Sequence, residues 1–182
     1  MADPFATRDR LQFSAGGWLR TLPLATRLLF QGGPQARAAT SDAFGVRLSE
    51  AACRANSQGS RAALWLGPDE YLLLAPDQDT GRLTAALQTA LAGVAHSLVD
   101  IGHRQIALRV SGPHAAVILN SGCPLDLEAF PVGMCTRTLL AKTEIVLWRQ
   151  GADEFQLEVW RSFADYAVQW MMEAARDFAT TG

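Results

Sequence analysis

With 182 residues, this chain is long enough to bury a core without disulfide or metal staples, and it suits one domain or one domain of two similar halves. Its 16 basic and 18 acidic residues are scattered and leave a net charge of −2, which argues against nucleic acid or an anionic membrane surface as a partner. Hydrophobic residues make up 49% of the chain and charged residues 19%, below the roughly 25% usual for soluble domains, so either part of the surface is covered by another protein or the chain is a compact alanine-rich domain.

The opening MADPFATRDRLQF carries charges where a signal peptide would need an apolar core. No apolar run approaches the roughly 18 residues of a membrane span. The three cysteines, Cys53, Cys123 and Cys135, fit neither a disulfide framework nor zinc-ligand spacing and read as reduced thiols. A cytoplasmic protein is expected.

In chain order, residues 1–17 mix charge, proline and glycine and read as an extended arm. Trp18, Leu19, Leu22, Leu28, Leu29 and Phe30 supply apolar anchors, with a strand near Arg27–Phe30. Gln31–Asp42 reads as a loop by composition, Ala43–Leu48 as a strand, and Ser49 as the cap of a short helix over Glu50–Asn56. After a polar turn at Ser57–Ser60, Ala62–Leu66 and Tyr71–Ala75 form strands joined by the hairpin turn Gly67-Pro68-Asp69-Glu70. Leu83, Leu87 and Leu91 recur every four residues and predict a helix over Thr80–Ala92 with one buried stripe, ended by Gly93.

Strand material follows at His96–Ile101 and Arg104–Val110. In the second, Ile106, Leu108 and Val110 alternate with Gln105, Ala107 and Arg109, the period of a half-buried strand. Ser111-Gly112 at the cap and Pro113 at the first helical position predict a short helix filled by Ala115, Val117, Ile118 and Leu119, which Gly122 stops. Leu125–Phe130 is a connector and Pro131-Val132-Gly133 a turn. Cys135–Leu140, Glu144–Arg149 and Glu154–Trp160 are strands. A C-terminal helix begins with Ser162 as cap and Asp165 as its capping-box partner. Phe163, Tyr166, Ala167, Trp170, Met171, Ala174 and Phe178 supply its apolar stripe.

One pattern occurs twice. Gly67-Pro68-Asp69-Glu70-Tyr71 and Gly151-Ala152-Asp153-Glu154-Phe155 each sit in a hairpin before an amphipathic helix. Upstream, Val46-Arg47-Leu48-Ser49 and Leu108-Arg109-Val110-Ser111 each end a strand before a short helix. The expected fold is therefore α+β, a duplicated strand–helix–hairpin–helix unit with antiparallel sheets and an extra strand in the second copy. Residues 18–178 would form a single globular domain of two pseudo-repeated halves, about 18–95 and 96–178.

Chemistry is hard to find. His96, His103 and His114 are seven and eleven residues apart, so no pair shares a helical face as metal ligands do. Asp100 and His103 with Ser97 or Ser111 could compose a triad, but no serine stands in a G-x-S-x-G elbow, and these read as turn residues. Cys123 follows a helix C-terminus, whose dipole disfavours a thiolate, and reads as a small buried hydrophobe. Phosphate-binding glycine motifs are absent from the sequence, and Asp69-Glu70 and Asp153-Glu154 read as solvated turn residues. Trp148, Trp160 and Trp170 fall within 23 residues of one another, beside Arg161. Tryptophan with arginine is what interfaces use as anchors, and a core of aromatics is the competing reading.

The stretches ALWLGPDEYLLLAP (62–76), VDIGHRQIALRVSGPHAAVILNSGCPLDL (99–127), FPVGMCTRTLLAKTEIVLWR (130–149) and FQLEVWRSFADYAV (155–168) resemble the gamma subunits of bacterial heterotetrameric sarcosine oxidases, over about residues 18–178. The resemblance implies a fold like the folate-binding domain of aminomethyltransferase and YgfZ-like proteins. It implies alpha, beta and delta subunits as partners, in a complex that demethylates sarcosine to glycine with O2 and tetrahydrofolate, giving H2O2 and 5,10-methylenetetrahydrofolate. FAD, FMN, NAD and tetrahydrofolate would sit on those partners, with no catalytic, cofactor or metal residue in this chain. His103, Arg104, Trp148, Trp160, Arg161 and Phe163 are the expected subunit interface. The alternative is a stand-alone folate-binding one-carbon protein of the aminomethyltransferase or YgfZ-like kind.

Overall fold

A computed structural model describes residues 14–179, and residues 1–13 of the expected arm lie outside them. Two compact units emerge: residues 24–102 with 133–136, and residues 103–132 and 137 onward together with the described residues up to Pro23.

The unit that starts at Leu24 is built on β3 (Ala25–Gly32), α1 (Pro34–Phe44), β4 (Ala55–Gln58), β5 (Arg61–Gly67), β6 (Glu70–Pro76), α2 (Thr80–Ala90) and β7 (His96–Asp100). Its five strands run in the order β4-β5-β6-β3-β7, every neighbour antiparallel. Leu28 and Phe30 on β3 alternate onto one face with Ala63 on β5 and Tyr71, Leu73 and Ala75 on β6. Leu83, Leu87 and Leu91 of the second helix reach that core, and so does Phe44. Each such fully buried side chain contributes about 1.5–3 kcal/mol of transfer free energy.

The segment Gln31–Asp42 is not a loop. Gly33 caps α1, Pro34 opens it, and Gly45 ends it in the left-handed region at φ 76, donating its N–H to Ser41 O. Ala36, Thr40 and Phe44, four residues apart, turn inward. Loop composition misled because glycine and proline here are helix boundaries and the polar residues cover the solvent face. Ala43–Leu48 is consequently not a strand: it starts inside the helix, and Val46 and Leu48 are buried in a bend and irregular chain after it. No helix covers Glu50–Asn56. The Ser49 hydroxyl accepts from Ala51 N at 3.1 Å, closing a local turn in place of a helix cap, and β4 begins at Ala55.

The other unit contains β1 (Ser14–Ala15), β2 (Leu19–Thr21), β8 (Gln105–Ser111), α3 (Ala115–Asn120), β9 (Cys135–Leu140) from Arg137 on, β10 (Thr143–Gly151), β11 (Glu154–Trp160), α4 (Ala164–Ala174) and α5 (Arg176–Ala179). Its strand order is β1-β2-β8-β11-β10-β9. One face is apolar, with Leu108 and Val110 opposite Leu157 and Phe155 in the β8–β11 register. The other face is polar yet closed. Gln105 and Ala107 on β8 are buried there, and Gln150, Gln156 and Glu158 are linked in series by bonds of 2.9 and 2.7 Å. The first part of β8 is therefore buried on both faces rather than half-buried.

The duplication holds at the level of topology, with a different alignment from the expected one. The orders β4-β5-β6-β3 and β9-β10-β11-β8 correspond strand for strand. Both hairpins carry a register shift at the same place, Trp65/Gly67 and Arg149/Gly151. A 3-10 turn precedes the long helix in each copy, at Asp77–Asp79 and Arg161–Phe163. The counterpart of β8 is thus β3, not the Val46–Ser49 segment, and both copies have three strands after the short helix. Each sheet is completed by a strand from outside its repeat, β7 beside β3 and β2 beside β8.

Two helix starts differ from expectation. The α3 helix begins at Ala115 with His114 as N-cap, since Gly112 and Pro113 belong to a preceding turn, and Val117 faces outward at 46% exposure. In α4 the 3-10 turn absorbs Ser162, Phe163 takes the cap position, and no capping-box bond forms. The buried row is Ala164, Ala167 and Met171, while Phe163 and Tyr166 are turned out. The helix also breaks at Ala175, so Phe178 lies on α5.

Candidate interaction surface

Antiparallel pairing sets Trp160, the last residue of β11, opposite Gln105, the first of β8. That register brings the residues just outside both strands together. Arg161 N donates to Arg104 O at 2.8 Å and Arg161 Nε to His103 O at 3.1 Å, tying the two strand ends. The Arg104 guanidinium lies 4.3 Å from the Trp160 ring centroid, a cation–π contact that desolvation would strengthen. Trp160 is 40% and Phe163 45% exposed, and Tyr166, three residues further on, is 36% exposed. Among the described residues no carboxylate is paired with Arg104.

Five of the six expected interface residues thus share one place: His103, Arg104, Trp160, Arg161 and Phe163. Trp148 does not join them. It sits on β10 opposite Gln156, four residues back along β11 from Trp160, half-buried and with a buried indole N–H. Trp170 is also apart, packed against the backbone at Gly122. Tyr166, which the helical period placed in the buried stripe, is exposed as well, three residues after Phe163. The signal that could have found it is the strand-to-helix junction at Arg161–Phe163, where a 3-10 turn rotates the helix by part of a turn.

The same unit holds an apolar cleft of about 710 Å³, lined by Trp18, Pro113, His114, Ile118, Met172 and Phe178 among others. The His114 ring stacks on Phe178 at 4.9 Å. The lining includes His114, Glu173 and Arg176, of which Glu173 and Arg176 bind each other at 2.9 Å.

The residues weighed for catalysis are dispersed. His96 Nδ1 lies 2.7 Å from Val94 O, and Asp100 Oδ1 accepts from Gly102 N at 2.8 Å, closing a turn. Cys123 is buried, its Sγ 3.7 Å from Thr138 Oγ1. Burial pushes the Cys135 thiol up to about 12. Among the described residues no group of three or more His, Cys, Asp or Glu side chains could hold a metal ion, and no helix is long and apolar enough to cross a membrane.

The family model described as "Sarcosine oxidase, gamma subunit family" matches residues 31–177. The chain is 34% identical over 167 residues to the sarcosine oxidase subunit gamma of Corynebacterium sp. (strain P-1), covering 89% of this chain and 81% of that one. It is 32% identical to the corresponding Arthrobacter protein over the same shares. Among solved structures, a chain of the heterotetrameric sarcosine oxidase from Corynebacterium sp. U-96, in complex with pyrrole 2-carboxylate, superposes with TM-score 0.84 at 30% identity, covering 100% of this chain and 98% of that chain. Aminomethyltransferase T of the Bartonella henselae glycine cleavage system superposes with TM-score 0.64 at 14% identity, covering 84% of this chain and 44% of that chain, a likeness of fold alone.

Proposed function

This chain belongs to the sarcosine oxidase gamma subunit family, and we propose that it acts as a noncatalytic subunit that helps assemble a heterotetrameric oxidase. The observation that carries this reading is the likeness, over nearly the whole length, to a chain of a heterotetrameric sarcosine oxidase. The geometry supports it: the polar chemistry is spent on turns and strand ends, while Arg104, Trp160, Phe163 and Tyr166 present an exposed cationic and aromatic surface.

In this proposal the partners are alpha, beta and delta subunits, and FAD, FMN, NAD and tetrahydrofolate reside on them. The complex removes the N-methyl group of sarcosine with O2 and tetrahydrofolate, releasing glycine, H2O2 and 5,10-methylenetetrahydrofolate in the cytoplasm. The Arg104–Trp160 pair meets a partner carboxylate, since among the described residues no carboxylate is paired with that guanidinium. The stand-alone folate-binding alternative has only the aminomethyltransferase fold likeness behind it.

Co-expression with the candidate partner subunits, with the affinity tag on this chain, tests the role. A stoichiometric assembly that oxidises sarcosine is the expected result. A soluble monomer that captures none of those partners would overturn it.

A further inference from the structure

Two of the three cysteines, 82 positions apart in the chain, meet across one short ladder. Arg54 and Met134 form an isolated antiparallel bridge. On one side of it Ala55 N donates to Gly133 O at 2.9 Å, and on the other Cys135 N donates to Cys53 O at 3.0 Å. The register therefore sets Cys53 directly opposite Cys135. A pair of opposed residues that exchanges both backbone bonds of an antiparallel ladder holds its Cα atoms about 5.5 Å apart, and of those two bonds Cys135 N to Cys53 O is present here. Disulfides span Cα separations of roughly 4.4–6.8 Å.

The two positions are unlike. Cys53 is partly exposed and stands in the left-handed region at φ 57, which L side chains with a β-carbon rarely adopt. Cys135 is fully buried, its Sγ 3.4 Å from Trp65 O. Burial is the main cause of its raised pKa, and the nearby Cys53 thiol adds to the rise. The solvent-reachable member of the pair is thus Cys53.

We propose that Cys53 and Cys135 form a peroxide-responsive dithiol that closes to an intrachain disulfide. The Cys53 thiolate attacks one oxygen of hydrogen peroxide, the O–O bond breaks, and the departing hydroxide takes up a proton as water, leaving a sulfenic acid on Cys53. The Cys135 sulfur then attacks the Cys53 sulfur, the S–O bond breaks, and the thiol proton leaves with the hydroxyl as a second water. One peroxide is reduced and two thiols are oxidised. The source of peroxide in the cell rests on the oxidase reading above, whereas the dithiol itself does not.

The test is peptide mapping of the full chain, reduced, exposed to added hydrogen peroxide, then alkylated and digested without reductant. The expected result is one cross-linked species joining the Cys53 and Cys135 peptides at their summed mass less two hydrogen atoms. It should be lost on reduction and in Cys53→Ser, with Cys123 still alkylated as a free thiol. In Cys53→Ser, Cys135 should also stay alkylatable after unfolding, because its burial keeps peroxide out. Accumulation of sulfenic or sulfinic acid on Cys53 with Cys135 free, or linkage mainly through Cys123, would overturn the proposal. A chain that cross-links but captures no partner subunits would sink the oxidase reading and leave the dithiol standing, and the reverse outcome would do the opposite.

Discussion

The Trp170 ring occupies the space that a side chain on Gly122 would need: a β-carbon built at Gly122 falls 2.5 Å from Trp170 Cη2 and 2.6 Å from Cζ2. Gly122 also accepts from Ala141 N at 2.9 Å, so its backbone cannot simply retreat. Gly122→Ala should therefore destabilise the fold by about 1–3 kcal/mol through overpacking. Urea unfolding of Gly122→Ala, Trp170→Leu and the double variant checks this. The double variant should lose clearly less than the sum of the singles, because the clash vanishes with the ring.

Arg104 over Trp160 is a contact on an open surface and stabilises the isolated chain by only about 0.5–1 kcal/mol. As an anchor for a partner subunit it would matter more. Trp160→Ala and Arg104→Ala should each weaken assembly by about 2 kcal/mol, roughly thirtyfold in affinity. The midpoint of unfolding should shift little. Titration of the tagged variant against the co-purified partner subunits reads the affinity and urea unfolding reads the midpoint, and an unchanged affinity would remove these residues from the interface.

Alkaline pH should weaken the unit that holds Cys135. Its folded pKa is raised from an ordinary 9.0 to about 12 by burial, so below pH 9 both states keep the proton and the full contribution is present. Between pH 9 and about 12 the unfolded chain ionises first, and stability falls at up to about 1.4 kcal/mol per pH unit for this group. Burial raises Tyr71 too, which adds a loss beginning nearer pH 10. Unfolding free energies of wild type and Cys135→Ala measured from pH 8 to pH 10.5 should converge as pH rises.

Arg149 holds the connector before β9. Its Nη1 donates to Leu127 O at 3.1 Å and to Phe130 O, its Nε to Ala152 O at 3.2 Å, and its guanidinium lies 5.2 Å from the Phe155 ring centroid. A lysine cannot reproduce that fork. Arg149→Lys should cost about 1–3 kcal/mol and speed amide exchange of Leu127 through Val132, and unaltered exchange there would contradict the assignment.

Much of the local structure was legible. The hairpin at Gly67–Glu70, its echo at Gly151–Glu154, and the Leu83, Leu87, Leu91 row all lie where period and turn chemistry place them, because both are set by neighbours a few residues away. The stretch from Gln31 to Asn56 was not. Glycine, proline and serine there serve as helix boundaries and a local turn, and composition alone does not say which of these uses a residue has. Of the candidate surface, Arg104, Trp160 and Phe163 could be named in advance, whereas Tyr166 could not be told from the core and Trp148 could not be told from the surface.

By itself the sequence determined the family, the α+β class and the repeat of a strand–helix–hairpin–helix unit. Only the tertiary structure decided that β7 lies beside β3 and β2 beside β8, that Gln156 and Glu158 sit on a closed polar face, and that Cys53 meets Cys135. Periodicity and turn residues act within one element, whose geometry repeats every two residues in a strand or every 3.6 in a helix. Which strand becomes a neighbour, and which way a helix faces after a 3-10 turn, depends on contacts between residues tens of positions apart, which a one-dimensional pattern does not carry.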